Sequence, residues 1–216
     1  MNDAPAGTDN TVTTLEDTPY VFASADFGLT DPLDSPANSF KAVALTTLAS
    51  GGTLLKDGNP ISAGQLITAS ELNSGRLTFL PSSDLNGLAF GSFTFQVQDT
   101  GATANGGADT DPTPNTMAIN VSAVNDAPVR TAGTAGNLTV LEDSGLTSLG
   151  LSGLSYAPGP GAASDEAGQT LTFAVTAVPN ASLGSIFLSD GTTVVSPGAY
   201  SLAEIRGMQF KTAANG

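Results

Sequence analysis

An all-β fold, arranged as tandem Greek-key β-sandwiches of which the second is C-terminally incomplete, is predicted by three observations. Apolar and polar residues alternate with a period of two in several short stretches, which marks strands with one buried face. Glycine (25) and proline (13), with abundant serine and threonine, interrupt the 216 residues at short intervals, the pattern of many turns between short strands. The chain also matches itself, segment by segment and in the same order. With 40% hydrophobic residues there is apolar material for a core, so the composition is not that of a disordered chain.

The self-match sets the domain organisation. Asn-Asp-Ala-Pro stands at 2–5 and again at 125–128; "TTLEDTPYVF" at 13–22 returns as "TVLEDSGLTS" at 139–148. "GGTLLKDGNPIS" at 51–62 returns as "LGSIFLSDGTTVV" at 183–195, and "TASELNSGRLTFLPSSDLNG" at 68–87 as "YSLAEIRGMQFKTAANG" at 200–216. Ordered self-similarity of this kind means tandem modules, here 1–124 and 125–216. Pro128 suits the boundary, because proline disfavours a helical residue before it and cannot donate to a strand ladder. The first unit's "LAFGSFTFQVQDT" and "TMAINVSAV" have no counterpart in the second, so the second is expected to lack its last two strands.

In the first unit, strands are predicted at 11–15, 19–24, 40–48, 53–56, 77–80, 91–98 and 116–124. Phe93, Phe95 and Val97 alternate with Thr94, Gln96 and Gln98, and Ile119 and Val121 with Asn120 and Ser122. Leu171, Phe173 and Val175 do the same in the second unit. Asp57-Gly58 and Asp190-Gly191 each fall between apolar runs, a strong hairpin signal. Only "TASELNS" and "SLAEIRG" suit a helical turn. About seven short strands in one unit fit a Greek-key sandwich.

Several functions are excluded at this level. The chain has no histidine and no cysteine, so there is no imidazole base, no thiolate nucleophile and no zinc site built from these ligands. Twenty acidic against six basic residues give a net charge of −14, which argues against nucleic acid and anionic membrane surfaces as partners. No apolar run approaches 18 residues, so no membrane insertion by a helix is expected, and "MNDAPAGTDN" is not a signal peptide. The opening methionine is read as a start placed on a piece of something longer.

Taken together, "VNDAP" between units, "LED" at Leu15–Asp17 and Leu141–Asp143, and the run from Pro81 through "DLNG" to "SFTFQVQD" resemble the cadherin-like, Ig-like tandem repeats of large bacterial RTX-type surface adhesins. The resemblance covers nearly the whole chain. It implies extracellular, calcium-binding Ig-like modules at a bacterial cell surface, acting as spacers or binding domains in adhesion and biofilm. The implied partners are neighbouring repeats of the same polypeptide and, through the full-length protein, cell-surface glycans or other cells.

The acids support a Ca²⁺ reading on their own terms. A sandwich gathers its loops at two ends. Following the chain from strand to strand, Glu16, Asp17, Asp84 and Asn86 should share the end from which the linker with Asn125 and Asp126 leaves. The second unit should meet that junction with Asp165 and Glu166. At ~4 Å two like charges repel by about 1 kcal/mol in water and about 4 kcal/mol at an effective dielectric of 20, so such a cluster calls for a cation. Oxygen-only ligands select a hard ion, and several carboxylates favour Ca²⁺ over Mg²⁺. Asp26, Asp31, Asp34 and Asp99, joined by Asn2 and Asp3, are expected to repeat the theme at the other end, in a set that awaits a preceding domain.

Blander readings stand beside these. Acids in loops are usually just solvated, and Asn-Asp-Ala-Pro also suits an Asx-turn before an extended segment. "TDPLDSPANS" lacks the EF-hand order, so Asp34 is read as loop rather than ligand, and Asp109 and Asp111 as a solvated loop tip. Three functional classes follow: a calcium-rigidified adhesin spacer, a carbohydrate-binding or accessory module of a secreted enzyme, and a glycosidase. An enzyme is not expected, since a glycosidase needs an acid pair beside a sugar cleft, and the chain offers no Trp and three Tyr.

Overall fold

The first half of the chain folds as two β-sheets that share one apolar interior. The computed structural model describes residues 1–161 and 163–214 and divides into a first unit, Met1–Val124, and a second, Asn125–Gly216. The first contains β1 (Asn10–Leu15), β2 (Tyr20–Val21), β3 (Phe40–Leu45), β4 (Gly52–Lys56), β5 (Asn59–Pro60), β6 (Leu66–Thr68), helix α1 (Ala69–Asn73), β7 (Leu77–Pro81), β8 (Gly87–Asp99) and β9 (Asn115–Ser122). One sheet has the order β1-β9-β8-β3-β6, the other β2-β7-β4-β5. β1 runs parallel to β9, from Asn10 opposite Met117 to Leu15 opposite Ser122; β8 is antiparallel to both β9 and β3.

The period-two pattern decides which side chains fill the interior. Phe93, Phe95 and Val97 of β8 and Met117, Ile119 and Val121 of β9 face inward, against Leu54, Leu77 and Phe79 of the opposite sheet. Phe22, Phe27, Phe93 and Phe95 form an aromatic group, with Phe22–Phe93 and Phe27–Phe95 edge to face at 5.5 and 4.9 Å, the geometry that ring quadrupoles favour. These rings are all buried, so they offer no stacking platform to a sugar.

Several elements depart from the sequence expectation, each for a local reason. The strand expected at 19–24 ends at Val21, because Asp26 turns back to accept from the Ala23 N–H at 2.8 Å and starts a 3-10 turn over Ser24–Phe27. The strand expected to reach 48 ends at Leu45, where the Thr46 and Thr47 hydroxyls engage that of Thr94. β5 and β6, which alternation does not reveal in so few residues, complete the sheet edges. Asp57 and Gly58 both hold positive φ and close a two-residue β4–β5 hairpin. Asp190-Gly191 instead sits in a wider loop closed by a Phe187–Val194 bridge, because the Asp190 carboxylate accepts from the Thr192 and Thr193 N–H groups, both at 2.8 Å.

The second unit repeats part of this plan. It contains β10 (Val129–Ala132), β11 (Thr147–Ser148), β12 (Ser155–Ala157), β13 (Phe173–Val175), β14 (Gly184–Phe187), β15 (Gly198–Tyr200), helix α2 (Leu202–Gly207) and β16 (Gln209–Thr212). The β11-β16-β14 sheet mirrors β2-β7-β4, and the β13–β15 pair mirrors β3–β6. Helices α1 and α2 open on the same capping box, Thr68 with Glu71 and Ser201 with Glu204, which satisfies two orphan donors reciprocally. Among the described residues β8 and β9 have no counterpart. Asn215 and Gly216, which close the "TAANG" match, lie outside the described residues.

Candidate metal centre

Two groups of carboxylates occupy opposite ends of the first unit. The 13 residues of β8 run from beside one to within the other, roughly 40 Å at ~3.3 Å per residue.

The first group gathers where β1 ends. Glu16 is only 2% exposed. Its Oε2 accepts from the Asn86 amide at 3.0 Å and its Oε1 from the Val124 N–H. Asp17 holds φ +55° and Asp84 φ +56°, a conformation that short polar side chains tolerate better than most. The Asp84 N–H donates to Asp17 Oδ1 at 3.1 Å. Glu16, Asp17, Asp84 and Asn86 are thus brought together, beside Val124.

Within the second unit the Asp126 N–H donates to Glu166 Oε1 at 3.2 Å, and the Asn125 amide to the Asp126 carbonyl at 3.0 Å. Glu166 is buried beneath Gly159, where a Cβ would stand 3.0 Å from its Cγ. Burial, and then the adjoining Asp165 carboxyl, push the Glu166 carboxyl above its ordinary range. Asp126, Asp165 and Glu166 therefore lie close to one another in that unit.

The second group of the first unit comprises Asp31, Asp34 and Asp99, with one carboxylate oxygen of each within 4.8 Å of the others. Asp31 is 4% and Asp99 0% exposed. At an effective dielectric of 20, two like charges at that separation repel by about 3.5 kcal/mol. Among the described residues no lysine or arginine pairs with them; Lys41 pairs with Asp109, Lys56 with Glu71, and Arg76 with Asp57 and Glu71. Residues 2 and 3 complete the surroundings. The Asp3 N–H donates to Asp34 Oδ2 at 3.1 Å, and Asn2 Oδ1 accepts from the Asn38 amide at 2.6 Å. Asn2 packs so closely on Gly101 that a Cβ there would lie 1.7 Å from Asn2 Oδ1.

Asp26 is not in this group. Its carboxylate accepts from Ala23 N–H and from the Tyr20 hydroxyl at 3.2 Å, and the Tyr20 hydroxyl is held above its ordinary range by burial and then by that neighbouring charge. Asp34, read from sequence as plain loop, belongs to the group. Asp111 is also no solvated loop tip: it is 4% exposed and accepts from the Gly7 and Thr113 N–H groups and the Asn115 amide. With its donors supplied, Asp111 works as a structural staple, while its neighbour Asp109 forms a salt bridge to Lys41.

The second unit repeats Glu16-Asp17 as Glu142-Asp143, and Asp143 has φ +53°, yet Glu142 is exposed. In the first unit Glu16 is covered by Asn86, just before β8, and by Val124, just after β9. Glu142 has no such strands beside it among the described residues.

A family model described as a bacterial Ig domain matches residues 2–111, just over half of the chain. No curated protein matches it.

Proposed function

The chain belongs to the bacterial Ig domain family, and on that basis we propose that it is a non-catalytic repeat module of a bacterial surface adhesin, made rigid by Ca²⁺. Bacterial Ig-like domains typically occur in surface or extracellular proteins, and no helix among the described residues is long and apolar enough to cross a membrane. The observation that carries the calcium reading is Glu16, a buried carboxylate flanked by Asp17 and Asp84, beside the exit of the chain from the first unit.

In this reading Glu16, Asp17 and Asp84 supply charged oxygens from the first unit, and Asp126 with Asp165 or Glu166 supplies them from the second. Carbonyl oxygens near Asn86 and Asn125 complete the shell. Extracellular modules hold Ca²⁺ with Kd on the order of 10⁻⁴–10⁻³ M, and ion at ~100 times Kd favours the bound state by about 2.7 kcal/mol. That energy would act on the linker, fixing the angle between neighbouring repeats so that a string of them holds a distant binding tip away from the cell. A carbohydrate-binding role is the weaker reading, because the chain has no Trp and the aromatic group of Phe22, Phe27, Phe93 and Phe95 is in the core.

Small-angle scattering and limited proteolysis, each with millimolar Ca²⁺ and with chelator, test the proposal. Chelation should loosen the chain and expose 124–130 to protease, and Asp126→Ala should weaken binding more than Asp190→Ala. Unchanged scattering and cleavage, with no calorimetric binding at millimolar Ca²⁺, would sink it.

A further inference from the structure

We propose that the second unit is a strand acceptor: an open slot in its sheet, floored by an apolar groove, takes an uncharged two-stranded β-segment of the kind that β8 and β9 form in the first unit. No metal ion takes part, so the slot is independent of the calcium reading. The first unit shows the same groove with its cover in place.

In the first unit β9 and β8 lie between β1 and β3, in the sheet order β1-β9-β8-β3-β6. The second unit keeps both flanks of that slot. β13, paired with β15, holds the place of β3 with β6, and residues 137–141 hold the place of β1 through the match of "TTLED" with "TVLED". Among the described residues no strand fills the space between. The β10–β12 pair belongs elsewhere: Val129 and Ala6 each follow Asn-Asp-Ala-Pro, and the pairing of Val129 with Ala157 repeats the Ala6–Thr30 bridge. β1 is a strand because β9 pairs with each of its residues. Residues 137–141 form no strand, since an extended segment without a neighbour leaves its backbone donors and acceptors unmatched.

The floor of the slot is apolar and open. Val12 and Thr14 of β1 face inward and are 6% and 9% exposed. Their equivalents, Leu138 and Val140, line a groove with Leu149, Leu183, Ile186 and Phe210, and Leu138 is 41% exposed. It is the same floor in both units: a Cβ on Gly52 would stand 2.6 Å from the Phe79 ring, and one on Gly184 2.7 Å from the Phe210 ring. β8 covers Phe79, whereas Phe210 is half-buried. Contiguous apolar surface of this kind marks a place where another element docks.

The chemistry of the occupant follows from the template. Residues 91–98 of β8 and all of β9 carry no charged side chain, and none lines the groove. With its second strand parallel to residues 137–141, the segment sets the position of Ile119 beside Leu138 and that of Val121 beside Val140, as these residues meet Val12 and Thr14 in the first unit. Main-chain pairing then gives affinity, and alternate apolar side chains give specificity. One difference narrows the fit. A Cβ on Gly51 would stand 2.4 Å from the Phe90 carbonyl oxygen, and Leu183 occupies the place of Gly51, so the segment has to start beyond the equivalent of Phe90. A second copy of the chain is the poorer cover. Two chains of net charge −14 repel, and a second open face brings no strands to fill the slot.

Titration of the full chain, in chelator, with a labelled synthetic peptide of residues 91–122 tests the proposal by fluorescence anisotropy and amide exchange. The peptide should bind at one site and slow exchange at 137–141, β14 and β16 at least tenfold, with β4 and β7 unchanged. Ile119→Glu in the peptide puts a charge into the groove and should weaken binding at least tenfold, whereas Asn120→Glu, on the outward side, should not. Both changes leave the acceptor as it is, so neither result can come from a misfolded second unit. Equal binding of the two variants would mean apolar adhesion without register and overturns the proposal. No binding to a monomeric chain overturns it too, as does protection gained in the first unit alone. A dimer seen by sedimentation without peptide, and dissolved by Val140→Asp, would assign the groove to a second copy instead.

Discussion

The Asn86 amide donates to Glu16 Oε2 across 3.0 Å, joining residues 70 positions apart. That contact holds the turn before β8 against the end of β1 and buries a carboxylate that would otherwise reach solvent.

Glu16→Ala should therefore destabilise the first unit even in chelator. It removes the acceptor shared by the Asn86 amide and the Val124 N–H, where an unpaired buried donor costs ~1–3 kcal/mol, and relief of repulsion with Asp17 and Asp84 returns part of that. A net loss of about 2 kcal/mol is expected by urea unfolding, and an unchanged midpoint would contradict the burial argument.

Phe79 and Phe210 hold equivalent places, opposite Leu54 in β4 and Ile186 in β14. Phe79 is fully buried, with β8 so near that a Cβ at Gly91 would stand 3.2 Å from its ring. Phe210 is half-buried beside an apolar groove lined by Leu138, Val140, Leu149, Leu183 and Ile186. Phe79→Ala should cost roughly 3–5 kcal/mol, as buried phenylalanines do, and Phe210→Ala under half as much. Equal losses in urea unfolding would show that the second unit buries this face as well as the first.

Hydrogen exchange on the full chain should find the same asymmetry. Amides of β4 and β7, in a sheet covered by another, should exchange orders of magnitude more slowly than those of β14 and β16, since local opening follows buried apolar contact. Matching protection in the two sheets would run against it.

Acid should weaken the first unit through Glu71. Lys56 at 2.6 Å, then the Thr68 N–H, hold its carboxyl down to about 2 from an ordinary 4.5. A folded pKa below the unfolded one gives stability that is present above pH 4.5 and lost as pH falls towards 2. Glu71→Gln should flatten the melting temperature across that window, and Lys56→Met should do the same. A variant with the wild-type slope would assign the acid sensitivity to other carboxylates.

How far the sequence foretells this protein depends on how local each cause is. Alternation at Phe93, Phe95 and Val97 reads directly as burial, because a strand's period is two. "TASELNS" and "SLAEIRG" carry their helical turns within four residues, through a Thr or Ser capped by a Glu. Burial of an acid is another matter. Asp109 and Asp111 are near neighbours in one polar loop, yet one pairs with Lys41 at the surface and the other is buried against Gly7 and Asn115. Asp34 gains meaning only from Asp99, Asn2 and Asn38, brought to it by the fold. Glu16 and Glu142 share a motif, and strands far along the chain cover one and not the other.

The parallel pairing of β1 with β9 also has a mechanical side. The first and last strands of the first unit lie side by side and point the same way, so the chain enters at one end of their ladder and leaves at the other. Tension between residues 9 and 123 thus runs along the strands, and the six pairs from Asn10–Met117 to Leu15–Ser122 are loaded in shear together. An antiparallel first-and-last pair would instead peel open one bond at a time, like a zipper. The unit should yield at a single high force when pulled by its ends.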